Sequence, residues 1–208
     1  MARTNFGDGI FVPGDITYSG SLVPGIARAD VQQQDLQPYS IPVVSMRIHD
    51  NLSGLLPASA TGDDLGIDGA TFGTNSPSLL SSDSKAATTT QYARFQFPLP
   101  VEYTSGQSVR VEVVAQMVTT VADTSATVDV QAYESDNEGG IGSDLCSTAA
   151  QSCNSLTAST LQFVLDGTAL VAGEMLDVRL AVSIVDAATG TAVKARIGRT
   201  KILCDIQA

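Results

Sequence analysis

Hydrophobic and polar positions alternate through most of the second half of the chain. Val109, Val111, Val113, Ala115 and Met117 share one parity, and Arg110, Glu112, Val114, Gln116 and Val118 the other, which is the period-two pattern of a strand with one face in a core. Val128, Val130 and Ala132 alternate in the same way with Asp129, Gln131 and Tyr133 after a short Ala-Asp-Thr-Ser connection at 122–125. The two runs are expected to pair as an antiparallel hairpin. The most regular alternation sets Leu176, Val178, Leu180, Val182 and Ile184 against Asp177, Arg179, Ala181, Ser183 and Val185. A turn at 187–190 then leads into a final strand over 192–206. Shorter β-rich runs occupy 41–48, 92–97 and 161–165, the last closed by the turn pair Asp166-Gly167.

About seven strands joined by polar turns, with almost no helical period, predict an all-β chain built as an antiparallel β-sandwich, because a half-apolar sheet hides its face on a second sheet. The strand number and lengths fit a jelly roll. An immunoglobulin-like sandwich is the alternative, without the Cys and Trp spacing of that type. Residues 29–37 carry the one helix-flavoured stretch, too short to change the class.

Residues 1–90 differ. They exceed the loop length of about 12–15 residues that a compact domain ordinarily holds without structure of its own, yet carry apolar and aromatic anchors that a solvated tail lacks. The division expected is an extended, partner-anchoring N-terminal arm and loops over 1–90, with Phe6, Phe11 and Tyr18 as candidate arm anchors, and a sandwich over 91–208. The strand at 41–48 belongs to either part.

Charge narrows the partners. With 22 acidic and 11 basic residues the formal net charge is −11, so counterion release on a phosphate backbone offers nothing and anionic membrane surfaces repel the chain. No nucleic acid and no membrane are expected as partners. No apolar run reaches the roughly 18 residues of a membrane span. The N-terminus lacks the continuous apolar segment of a secretory signal, and synthesis in a host cytoplasm is expected.

Candidate chemistry is sparse, and no enzyme activity and no cofactor are expected. His49 is the single histidine. His49-Asp50 near Ser45 and Ser53 has the residue types of a hydrolytic triad but no nucleophile elbow, and a histidine at a strand end is the plainer reading. Asp63, Asp64 and Asp68 among glycines could hold a hard cation, but the spacing departs from the EF-hand template and a solvated acidic loop accounts for them. The Gly139, Gly140 and Gly142 segment lacks the Gly-Lys-Ser/Thr of a phosphate loop and is flanked by acids. Cys146 and Cys153 are either a local disulfide across a loop or two free thiols. Cys204 reads as a small buried hydrophobe.

Residues 93–116, ARFQFPLPVEYTSGQSVRVEVVAQ, and residues 170–198, LVAGEMLDVRLAVSIVDAATGTAVKARIG, resemble the sandwich proteins found among virion components of tailed bacteriophages. The resemblance spans about residues 90–208 and rests on pattern. It implies a capsid decoration (cement) protein: a jelly roll on the outside of an icosahedral head, arranged as a homotrimer, with the major capsid protein as partner and the virion surface as location. Another virion component (tail, neck, fibre or main shell) is the alternative within that class. A carbohydrate-binding β-sandwich module is the alternative outside it, for which aromatics at 5% and the absence of Trp supply few sugar platforms.

Overall fold

The computed structural model describes residues 36–82, 87–135, 141–187 and 191–206. The candidate arm anchors Phe6, Phe11 and Tyr18 lie outside the described residues. The strands are β1 Gln37–Ile41, β2 Gly66–Asp68, β3 Ser78–Leu80, β4 Ala87–Pro98, β5 Val109–Met117, β6 Ser125–Ser135, β7 Gln151–Ser152, β8 Ser159–Leu165, β9 Met175–Asp186 and β10 Ala195–Cys204. Among the described residues the single helical element is a 3-10 turn at Val43–Ser45.

Two antiparallel sheets form. One has six strands in the order β2-β3-β10-β5-β8, with β1 also on β10; the other has four, β4-β9-β6-β7. Following the chain, β3, β5, β8 and β10 lie in the first sheet and β4, β6, β7 and β9 in the second. This winding between two layers is the double Greek key of a jelly roll. The fold is therefore an antiparallel β-sandwich of jelly-roll type, as its alternation predicts.

The strand pairing differs from the sequence expectation. The runs at 109–117 and 128–132 do not form a hairpin: β5 pairs with β10 and β8, and β6 with β9 and β7. Both carry an apolar parity, so each can serve either layer. The connection over 118–124 is long enough, at roughly 3.3 Å per residue, to cross the ~10 Å between sheets. β9 and β10 likewise belong to opposite sheets. The strand expected over 41–48 is replaced by β1 ending at Ile41, because Pro42 has no N–H for the ladder and the chain turns through Val43–Ser45. Residues 37–80, rich in turn-forming types, supply β1, β2 and β3.

The inward parity of each strand makes the core. Ala93, Phe95 and Phe97 of β4, Val109 to Met117 at every second position of β5, Ala126 to Ala132 of β6, Leu161, Phe163 and Leu165 of β8, and Leu176 to Ile184 of β9 are all buried. In β10 the parity changes. Ala195 and Ile197 are buried, and so are Thr200, Ile202 and Cys204, because the register on β5 shifts between Ile197 and Arg199. Gly198 is the extra residue of this β-bulge. The bulge lets a run with apolar residues five apart keep both of them inside.

Two features close the open sides of the sandwich. The outer edge of β4 is covered by segments 47 and 63–65: the Arg47 and Arg94 backbones exchange N–H···O bonds of 2.8 and 3.0 Å, and Leu65 N–H donates to the Tyr92 carbonyl at 2.9 Å. Met46 and Leu65 are buried there. On the other side Leu145 ties the two layers. Its N–H donates to the Ala132 carbonyl at 2.8 Å, and its carbonyl accepts from Asp166 N–H at 2.8 Å.

Candidate functional site

A polar face built on the three adjacent strands β4, β9 and β6 is where the described surface concentrates chemistry. The outward residues of β4, β9 and β6 fall into cross-strand rows set by register. Arg94 lies opposite Arg179, and Arg179 opposite Gln131. Gln96 lies opposite Asp177, and Asp177 opposite Tyr133. Tyr92 lies opposite Ala181. Because side chains on one face of a pleated sheet stand about 5 Å apart across strands, these rows bring two guanidinium groups, a carboxylate, two amides and two tyrosines into one patch.

The groups hold one another. Arg94 Nε–H donates to Asp177 Oδ1 at 2.7 Å and its Nη2 donates to Oδ2, a bidentate pair. Asp177 is only 7% exposed although it sits on the outward parity, because Arg94 covers it. The bond to Asp177 raises the Arg94 pKa above its already high ordinary value, so the guanidinium is a fixed cation. Arg94 Nη1 also donates to the His49 carbonyl at 3.1 Å, drawing the covering segment onto the face. Arg179 donates through Nη2 to Gln131 Oε1, and its guanidinium carbon lies 4.8 Å from the centre of the Tyr92 ring. The His49 ring packs on Tyr92 with centroids 4.4 Å apart.

His49, Arg94, Tyr133, Ile141, Gly142, Asp177 and Arg179 line an open cleft of about 450 Å³. Its floor is the Arg94–Asp177 pair and Arg179. His49 and the largely exposed Ile141 complete the lining. An open polar trough with a few fixed donors, an acceptor and a tyrosine ring can hydrogen-bond a ligand rich in hydroxyls while packing an apolar face of it.

The sequence-expected residues distribute as follows. His49 stands in this cleft and is joined by Asp50, Asp63 and Asp64: its Nε2 is 3.2 Å from Asp50 Oδ1 and 3.4 Å from Asp63 Oδ2, and its Nδ1 3.4 Å from Asp64 Oδ1. Asp68 is separate, 3.6 Å from Arg196 and accepting from Ala70 N–H at 3.1 Å. The acidic loop is thus two structures. The Ser45 hydroxyl donates to the Pro42 carbonyl and that of Ser53 to Asn51, so neither is paired with His49.

Cys146, Cys153 and Cys204 are free thiols. Cys146 bridges to Leu165, and Cys153 N–H donates to Ala126 on the other sheet. Burial pushes the Cys153 thiol up to about 11 and the Cys204 thiol to about 12. Asp144 accepts from the backbone N–H groups of Ala132 and Cys146, each at 3.0 Å.

Tyr92, Arg94, Gln131, Tyr133, Asp177 and Arg179 were visible in the sequence only as the polar parity of separate strands. Strand order is what gathers them, and it depends on non-local pairing that the alternation leaves open.

No protein-family model matches the chain, and no curated protein does. Solved structures that resemble it include a "xylan-binding module CBM15" (14% identity, 83% of this chain and 99% of that one, TM-score 0.46). Others are the CBM22-1 xylan-binding domain from Paenibacillus barcinonensis Xyn10C (15%, 72% and 86%, TM-score 0.41) and a structure of infectious bursal disease virus Gt strain (11%, 92% and 37%, TM-score 0.41). The functional reading rests on the cleft itself.

Proposed function

We propose that this chain is a non-catalytic carbohydrate-binding module of β-sandwich type, with the cleft on the outer face of the four-stranded sheet as its sugar site. The observation that carries the reading is the grouping of the Arg94–Asp177 pair, Arg179 and Tyr133 in one open cleft on a rigid sheet. Sugar rings present vicinal hydroxyls to planar donors and acceptors and a C–H face to an aromatic ring. Arg179 and Asp177 are the planar polar groups here, and Tyr133 is the ring. Sites on strands hold their geometry better than sites on loops, and neighbouring side chains already fix both arginines.

A panel of neutral and acidic oligosaccharides, screened on an array and followed by calorimetry, tests the proposal. At least one should bind saturably, and Arg179→Ala and Tyr133→Ala should each weaken it at least tenfold without loss of fold. Absence of any ligand, or equal binding by both variants, overturns it.

A second reading, a virion surface component that docks on the major capsid protein as a homotrimer, is favoured by Phe72. Its ring is fully exposed in the loop before β3, with Leu55 also 66% exposed, as docking residues are before a partner covers them. Sedimentation of the pure chain and co-sedimentation with capsids separate the readings. A trimer that loses capsid attachment in Phe72→Ser supports the second, and a monomer indifferent to capsids removes it.

A further inference from the structure

We infer that His49, Asp63 and Asp64 form a site for a divalent transition-metal cation of the zinc class at the edge of the cleft. The inference concerns residues outside the proposed sugar contacts, apart from the wall that His49 provides, and it stands whether or not a sugar binds.

Three observations converge. First, both ring nitrogens of His49 face carboxylates: Nδ1 faces Asp64 Oδ1 at 3.4 Å, and Nε2 faces Asp50 Oδ1 at 3.2 Å and Asp63 Oδ2 at 3.4 Å. A neutral imidazole has one N–H. The other nitrogen keeps a lone pair, and one ligand atom each of His49, Asp63 and Asp64 lie within 4.8 Å of one another. Three electron-rich atoms then converge on a point that calls for a cation.

Second, the spacing suits ligands better than ion pairs. Charge-assisted N–H···O bonds run about 2.7–2.9 Å. Donor atoms about 2.0–2.1 Å from a tetrahedral zinc stand roughly 3.3–3.4 Å from one another. The nitrogen-to-oxygen distances from the imidazole to Asp63 and Asp64, 3.4 Å each, fall beside the second range.

Third, the ring is held. The His49 side chain is only 10% exposed, it packs on Tyr92, and its carbonyl is bonded by Arg94. Asp63 and Asp64 are set by the 61–64 turn, in which Thr61 and Asp64 exchange backbone bonds of 3.2 and 3.0 Å, and by Tyr92 N–H donating to the Asp63 carbonyl at 2.8 Å. One imidazole nitrogen with two carboxylates matches a borderline ion such as Zn²⁺ better than the all-oxygen shell of Ca²⁺.

The test uses the full chain, stripped with a chelator and titrated with ZnCl₂, MnCl₂ and CaCl₂ by calorimetry, alongside long-range ¹H–¹⁵N spectra of the imidazole. As His49 is the sole histidine, one ring gives the whole signal. The expected result is one Zn²⁺ per chain, a shift of one ring-nitrogen resonance, and at least tenfold weaker binding in both His49→Gln and Asp63→Asn, with Cys146→Ser unchanged. Asp63 is exposed enough that Asp63→Asn should fold even if the histidine variant does not. Absence of saturable Zn²⁺ binding overturns the site. So does binding that survives both substitutions, or binding lost in Cys146→Ser.

Discussion

Replacing Asp177 with Ala removes two of the three acceptors of the Arg94 side chain, sparing the His49 carbonyl, and leaves the strand intact. Arg94 is only 26% exposed at its side chain and Asp177 9%, so water replaces the lost bonds incompletely. Breaking a fully buried ion pair from one side costs about 3–5 kcal/mol, and an exposed pair contributes about 0–1 kcal/mol. With one partner buried and the other about a quarter exposed, an intermediate loss of about 2–3 kcal/mol follows. For a domain of this size that is a fall in Tm of roughly 5–10 °C. Asp177→Asn keeps one acceptor and should lose about half as much. Urea unfolding of wild type, Asp177→Ala, Arg94→Ala and the double variant gives the interaction energy directly. A coupling of about 1–2 kcal/mol is expected, since removing Arg94 also removes the stranded cation. If Asp177→Ala lies within about 0.5 kcal/mol of wild type, or the two substitutions are additive, the pair does not organise this face and the reasoning fails.

Four further outcomes follow from the same structure. Gly167→Ala places a Cβ 1.7 Å from the Gln107 carbonyl oxygen and 2.8 Å from the Tyr103 hydroxyl, where Tyr103 donates to that same carbonyl; a loss of about 2–4 kcal/mol in chemical unfolding is expected, and a neutral variant would contradict the packing of this corner. Hydrogen bonds hold the Asp123 carboxylate below its ordinary 3.8, chiefly from Ala187 N–H, and that of Asp166, chiefly from Thr168. Both contribute stability that is complete above about pH 4 and lost as pH falls through their lowered values, so Asp123→Asn and Asp166→Asn should flatten the acid limb of Tm against pH. With Cys153 raised to about 11 and Cys204 to about 12 from an ordinary 9.0, the unfolded chain loses thiol protons first. Stability should therefore decline as pH rises from about 9 to about 11, and a thiol reagent at pH 8 should reach Cys146 alone until denaturant exposes all three.

The fold class was legible because its signal is local. Alternation along 109–117 and 176–184 tells which side chains go inward, and those positions are buried. Pairing was not legible. Nothing in the Val-rich runs of β5 and β6 says whether they lie side by side or face each other across the core, and the same holds for β9 and β10. Residues 37–80 hid their strands because β2 and β3 are three residues each, shorter than any period can reveal. The cleft was missed for the same reason as the pairing: Arg94, Tyr133 and Asp177 meet only when β4, β9 and β6 are laid in order. His49 read as a lone residue because its carboxylate neighbours at 63 and 64 arrive through a turn that returns to the edge of β4.

The central claim is that the outer face of the four-stranded sheet is a sugar site. Its most direct test is ¹H–¹⁵N spectra of the labelled chain titrated with the oligosaccharide panel. Saturable shifts confined to Arg94, Gln131, Tyr133, Asp177 and Arg179 are predicted for at least one sugar. Spectra unmoved by every sugar, or shifts gathered on the six-stranded sheet instead, would contradict it.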